Sequence, residues 1–192
     1  MLENIKNAKG LVKIALVGKY VSLKDAYLSV YESLKHSAFA NNVNIRIDSI
    51  DAKTLNANNV GEVLNSYQGI ICPGGFGDRD IDGIMFAIKY AREQHIPYLG
   101  ICYAMHLAMI EYARHVLAYP KATSREFDED ADLAIIDLNP LRKGFEKPMR
   151  VGLYSCHLKP GSKLAEIYQT NLIYERHRHR YEVNNATLHL FE

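Results

Sequence analysis

Two hydrophobic rhythms share the first half of the chain. Leu11 to Val17 is a short apolar run, broken by Lys13 and stopped by Gly18, the profile of a strand buried on both faces. Beyond it Ala26, Val30, Tyr31, Leu34, Ala38 and Phe39 recur at three- and four-residue steps, which predicts an amphipathic helix with Ser22 as its N-cap and Asn41-Asn42 at its end. Val43, Ile45 and Ile47 then alternate with Asn44, Arg46 and Asp48, so a second strand follows, half covered or near a sheet edge. A weak helix over residues 60–64 leads to a third strand over 69–72, a helix over 83–92, a fourth strand over 96–99 and a helix over 103–115. This alternation predicts the α/β class: a doubly wound, mostly parallel sheet with helices on both faces, whose ligands bind beyond the carboxyl ends of the strands. From Ala118 the rhythm is lost. Residues 131–136 and 149–154 read as strands and 139–147 as a polar loop, so the C-terminal half is expected to add irregular antiparallel pieces.

Two strand ends carry candidate chemistry. In Leu99-Gly-Ile-Cys-Tyr-Ala-Met-His106 a strand ends at Cys102 and a helix begins at once, with Gly100 two residues before and Ala104 two residues after the cysteine. Small residues at those positions suit a nucleophile elbow, in which the chain turns sharply and backbones come close. The helix start is expected to lower the thiol pKa; the alternative is a buried cysteine serving as a small apolar residue. The other strand end, Pro73-Gly-Gly-Phe-Gly77, exposes backbone N–H groups to whatever lies above it, unless it is a plain tight turn.

Composition narrows the field. The 192 residues, 48% of them hydrophobic, suit one domain, with residues 1–10 as a linker and 11–192 as the folded unit. Charge is balanced, 23 Lys and Arg against 22 Asp and Glu, which argues against nucleic acid and an anionic membrane as partners. Cys72, Cys102 and Cys156 are odd in number and widely spaced, which fits reduced thiols and a cytoplasmic location. The strongest basic cluster is Glu175-Arg-His-Arg-His-Arg-Tyr-Glu-Val-Asn184, where in a strand His177 and His179 share one face and Arg176, Arg178 and Arg180 the other. No third and fourth ligand follow at metal spacing, so the expected metal is none and the arginines are expected to hold a small carboxylate.

Six segments, Lys13-Ile-Ala-Leu-Val-Gly-Lys-Tyr-Val21, Pro73-Gly-Gly-Phe-Gly77, Leu99-Gly-Ile-Cys102, Thr123-Ser-Arg-Glu-Phe127, Pro148-Met-Arg-Val-Gly152 and Glu175 to Asn184, resemble in order and spacing the class I glutamine amidotransferase domain of CTP synthases. The resemblance implies a glutaminase that supplies ammonia for amination of UTP to CTP in a synthase domain absent from these residues. ATP and Mg would be needed only there, no cofactor in this domain, and the complete enzyme would be a homo-oligomer. Position by position it implies Cys102 as nucleophile, the backbone N–H groups of Gly75 and Tyr103 as oxyanion donors, and Glu126 and Arg180 as grips for the ammonium and carboxylate of glutamine. His106 stands where the family has a substrate-contacting glutamine.

Two departures bear on activity. The family's Cys-Leu-Gly-Met-Gln reads Cys102-Tyr-Ala-Met-His106 here, which puts a bulky Tyr103 ring beside the site. The family's Phe-His-Pro-Glu segment, source of the general base, does not occur in the sequence. The chain is therefore expected to be truncated before that segment and inactive by itself, His106 being a poor substitute. The alternative is a non-catalytic amidotransferase-like remnant that binds a small amino acid or a partner subunit.

Overall fold

The computed structural model describes residues 8–23, 25–139 and 149–192; most of the expected linker over 1–10 and of the loop over 139–147 lies outside them. Strands β1 (Leu11–Gly18), β2 (Asn44–Asp51), β3 (Gly69–Cys72) and β4 (Tyr98–Gly100) form a parallel sheet in the order β2-β1-β3-β4. Between them run helices α1 (Leu28–Ala40), α2 (Val60–Leu64) and α3 (Ile81–Glu93), and α4 (Tyr103–His115) follows β4. The predicted doubly wound sheet is therefore present.

The period-two geometry of β1 explains how both faces are covered. Ala15 and Val17 face a large core with Ile70 and Cys72 of β3, Ile84, Ala87 and Ile88 of α3, and Leu107 and Ile110 of α4. Leu16 faces the other way, into a smaller core with Ile71 and Tyr27, against which Val30, Tyr31 and Leu34 of α1 pack. α3 approaches the turn after β2 so closely that a Cβ on Gly83 would lie 1.8 Å from the Ala52 carbonyl oxygen. Only glycine fits there.

Several boundaries differ from the sequence reading, for local reasons. Ser22 caps no helix: the described residues around it turn back on themselves, with Leu23 N–H bonded to Tyr20 O and Ala26 N–H to Leu23 O, both at 3.0 Å. The helix waits for Tyr27, whose ring is buried against Gly18 and whose hydroxyl accepts the Tyr20 N–H at 3.2 Å. β4 starts two residues late because Ile96 N–H closes the end of α3 on Ala91 O at 2.9 Å, and Pro97 has no N–H to give a ladder.

The C-terminal half adds two small sheets. β5 (Thr123–Ser124), β6 (Ala134–Leu138) and β9 (Tyr181–Val183) form one, β5 parallel and β9 antiparallel to β6. β7 (Arg150–His157) and β8 (Leu172–His179) pair with each other, antiparallel, and with no other strand among the described residues; the short helix α5 (Lys163–Tyr168) lies between them. Asn184 joins the pieces, donating its backbone N–H to Ile135 O and its side-chain amide to Ala134 O, each at 2.8 Å. Among the described residues no helix is long and apolar enough to cross a membrane.

One buried charge fixes the helices that carry the elbow. Glu111 of α4, 1% exposed, accepts two bonds from Arg92 of α3, at 3.0 and 2.8 Å, and lies 3.2 Å from His115. Removing the guanidinium would leave a buried carboxylate without its bidentate partner. Arg92→Met is expected to lower stability by about 3 kcal/mol in urea unfolding, and adding Glu111→Leu to restore at least half of that loss.

Candidate functional site

β4 ends at Gly100, and Cys102 caps α4 with φ 54° and ψ −109°, a conformation that costs a non-glycine residue about 1–3 kcal/mol. Ile101 N–H bonds Cys72 O at 3.0 Å, continuing the pairing with β3, and Met105 N–H turns back to Cys102 O at 3.1 Å. A Cβ on Gly100 would lie 2.7 Å from Met105 N and 2.8 Å from the Ala104 carbonyl, so the elbow needs glycine there. Cys102 thus stands at the strand end, half-buried, whereas Cys72 is fully buried one strand away with its thiol pushed up to about 12. All three cysteines are free thiols.

The Pro73–Gly77 loop lies directly beside the elbow. A Cβ on Gly74 would come 3.6 Å from Cys102 Cβ, and one on Gly75 3.6 Å from Tyr103 Cδ1. A cleft of about 870 Å³ opens between loop, elbow and the β8–β9 bend; Gly75, Cys102, Tyr103, His106, Glu126 and Arg180, distant in sequence, all line it. Glu126 Oε1 accepts the Gly77 N–H at 2.9 Å, and Arg180 is exposed in the bend.

Two expectations are corrected. The Tyr103 ring does not crowd the cleft; it is 2% exposed, turned under the glycine loop and met edge-on by Phe127 at 6.1 Å between centroids. Its hydroxyl donates to Gly77 O. The Cys102 thiol is not acidified on balance, although the N–H at the helix start acts in that direction. Burial raises its pKa above 9.0, the Tyr103 backbone N–H works the other way, and the Glu126 carboxylate adds to the rise.

His106, one turn along α4 from Cys102, is 7% exposed, and burial, with His179 nearby, pushes its pKa down to about 4. At neutral pH it is an uncharged imidazole. His177 and His179 share a face of β8 as their spacing predicts, and they bond each other, His177 Nδ1 to His179 Nε2, at 2.9 Å. His179 Nδ1 lies 2.9 Å from Tyr181 O, a pure acceptor, so Nδ1 carries the proton and Nε2 accepts from His177. His177 Nε2 then faces Cys156 Sγ at 3.5 Å. Among the described residues no His, Cys, Asp and Glu group is arranged to hold a metal ion. Lys19, 9% exposed, is the residue that sequence reasoning passed over: its ammonium reaches the carbonyls of Phe76 and Gly77 at 3.1 and 2.9 Å. Its one sequence signal is a lysine directly after a strand buried on both faces.

Comparison with known proteins fits this geometry. Residues 22–190 match the family model "Glutamine amidotransferase class-I". The CTP synthase of Halalkalibacterium halodurans is 53% identical over 188 residues, and that of Bacillus subtilis 47% identical over 188; each match covers 96% of this chain. The chain spans about a third of the length of these curated relatives, 35% in both. The glutaminase domain of Trypanosoma brucei CTPS, solved with bound acivicin, superposes with a TM-score of 0.86 at 35% identity, covering 94% of this chain and 71% of that one. Sequence, fold and the elbow beside its glycine loop agree: this chain belongs to the class I glutamine amidotransferases, as an amidotransferase domain of the kind found in CTP synthases.

Proposed function

We propose that the cleft is a glutamine site at which Cys102 attacks the side-chain amide, supplying ammonia to a synthase domain that uses ATP and Mg to aminate UTP to CTP. The observation that carries this reading is the convergence of Cys102, Gly75, Glu126 and Arg180 on one cleft at the ends of parallel strands. Glutamine would lie with its ammonium towards the Glu126 carboxylate and its carboxylate towards the Arg180 guanidinium, charge against charge. The Cys102 sulfur would add to the amide carbon, and the oxyanion would be held by the N–H groups of Gly75 and Tyr103. Collapse would expel ammonia and leave a glutamyl thioester for water to hydrolyse.

Proton transfer is the step these residues serve worst. The neighbouring imidazole, His106, has a conjugate acid near pKa 4, while burial pushes the Cys102 thiol up from its ordinary value. Moving the proton from sulfur to that ring is therefore strongly uphill. His106 is therefore a pocket wall and not the base, and the 192 residues contain no His-Pro-Glu segment to supply one. The same observation favours a second reading, a non-catalytic module that still binds an amino acid or a synthase partner.

Acivicin separates the two. Labelling of wild type and not of Cys102→Ser, detected by intact mass, supports the glutamine site; no labelling leaves the binding module. In either case ammonia release from glutamine by this chain is expected at least about 10²-fold below that of a complete amidotransferase, the usual contribution of a general base. Because the thiol pKa is raised, alkylation of Cys102 by iodoacetamide should climb about tenfold per pH unit from 7 to 9 without a plateau. A plateau below pH 8 would contradict this.

Burial of neutral His106 also ties stability to pH. Its folded pKa of about 4 lies below the ordinary 6.5, so the unfolded chain binds the proton first, and stability is lost as pH falls through 6.5 towards 4. Between pH 7.5 and 5 the loss from this one ring comes to about 2 kcal/mol. His106→Gln should remove that part of the acid sensitivity, leaving a smaller slope from His179, whose pKa is also lowered by burial. Urea unfolding of both chains at the two pH values tests it.

A further inference from the structure

We infer that the side chains of Tyr103 and Lys19 form a clamp that sets the direction of the Gly75 N–H, so that Tyr103 supplies one oxyanion donor from its backbone and positions the other with its ring. The inference rests on the oxyanion assignment proposed above, but the clamp itself is a matter of bonding. A lysine ammonium has three N–H donors. Those of Lys19 are matched by three acceptors, Phe76 O at 3.1 Å, Gly77 O at 2.9 Å and Tyr103 Oη at 3.1 Å. Tyr103 Oη in turn donates to Gly77 O, so that carbonyl receives two donors, one for each lone pair. On the other side the Gly77 N–H is held by Glu126 Oε1 at 2.9 Å.

Gly77 is thus bonded at both ends of the residue while its φ of +70° keeps it in the left-handed region. Phe76 is held by its carbonyl. One residue upstream, Gly75 has the Tyr103 ring beside it, a β-carbon there falling 3.6 Å from Cδ1, and glycine would otherwise be free to turn its peptide plane. The ammonium also sits 4.5 Å from the Tyr103 ring centroid, and Phe127 packs edge-on against the same ring. Lys19 is mostly desolvated, and burial pulls its pKa down while Asp80 and Glu126 hold it up. In such surroundings an unmatched ammonium or phenol is costly, which makes the arrangement selective for one loop conformation. Tyr103 and Lys19 are positioning residues, with no contact to the reacting atoms implied for either side chain.

Tyr103→Phe deletes the hydroxyl and keeps the ring; Lys19→Met deletes the ammonium and keeps the stem. In the 192-residue chain, amide exchange by NMR at Gly77, whose N–H Glu126 holds, is expected to accelerate about tenfold in each variant, with α4 amides unchanged and Lys19→Arg restoring part of the protection. Exchange at wild-type rates in both variants would overturn the clamp. The acivicin reaction supplies the functional readout: the maximal labelling rate should fall about tenfold in Tyr103→Phe with half-saturation unchanged, and iodoacetamide alkylation should stay within twofold of wild type. A wild-type maximal rate in Tyr103→Phe overturns the positioning role. Failure of acivicin to label wild type would instead overturn the glutamine site, and the exchange rates would still decide the clamp.

Discussion

Gly100 passes so close to the first turn of α4 that no β-carbon fits between them. That approach lets the chain leave β4, reverse through Cys102 and enter a helix within three residues, raising the sulfur above the strand ends. The strained backbone at Cys102 persists because its surroundings hold it: β3 pairs with Ile101 below, and Glu111 with Arg92 fixes α4 to α3 behind. Tyr98, half-buried and bonded through its hydroxyl to Ala104 O at 3.1 Å, closes the same turn from beneath. Loosening any of these would lower the sulfur before it touched the core.

The elbow provides location but not acidity. Half-burial removes water from the thiol, and the nearest carboxylate, Glu126, opposes ionisation; the single Tyr103 N–H does not offset both. A cysteine so placed is held in reserve as a neutral thiol. Its reactivity depends on a proton acceptor matched to a raised thiol pKa, and burial has made the adjacent imidazole a weak base.

Much of this was legible in the sequence, wherever one local cause decided the outcome. α2, β3 and α4 begin and end where their apolar spacing and glycine punctuation say they should. Gly100 and Ala104 announced the elbow, and the six residues carried over from the family resemblance do share one cleft. The failures lie where distant segments compete. Ser22 had the chemistry of a cap, but burial of Tyr27 against Gly18 moved the helix start. Tyr103 was read as a bulky ring beside the site because its nearest sequence neighbours are site residues; its actual partners, Lys19 and Gly77, are 84 and 26 positions away. The thiol pKa was misjudged because a helix start is visible in sequence and the depth of burial is not.

Among the described residues the β7–β8 ribbon pairs with no other strand, yet it delivers Arg178 and His179 to the cleft. One wall of the cleft is therefore the ends of a parallel sheet and the other a piece outside its hydrogen-bond ladder. Movement of the ribbon wall breaks no ladder bond of the sheet that holds Cys102, so the width of the cleft and the placement of its sulfur are mechanically separate quantities. Selection or engineering can alter the grip on a ligand through the ribbon while the nucleophile stays where the sheet has put it.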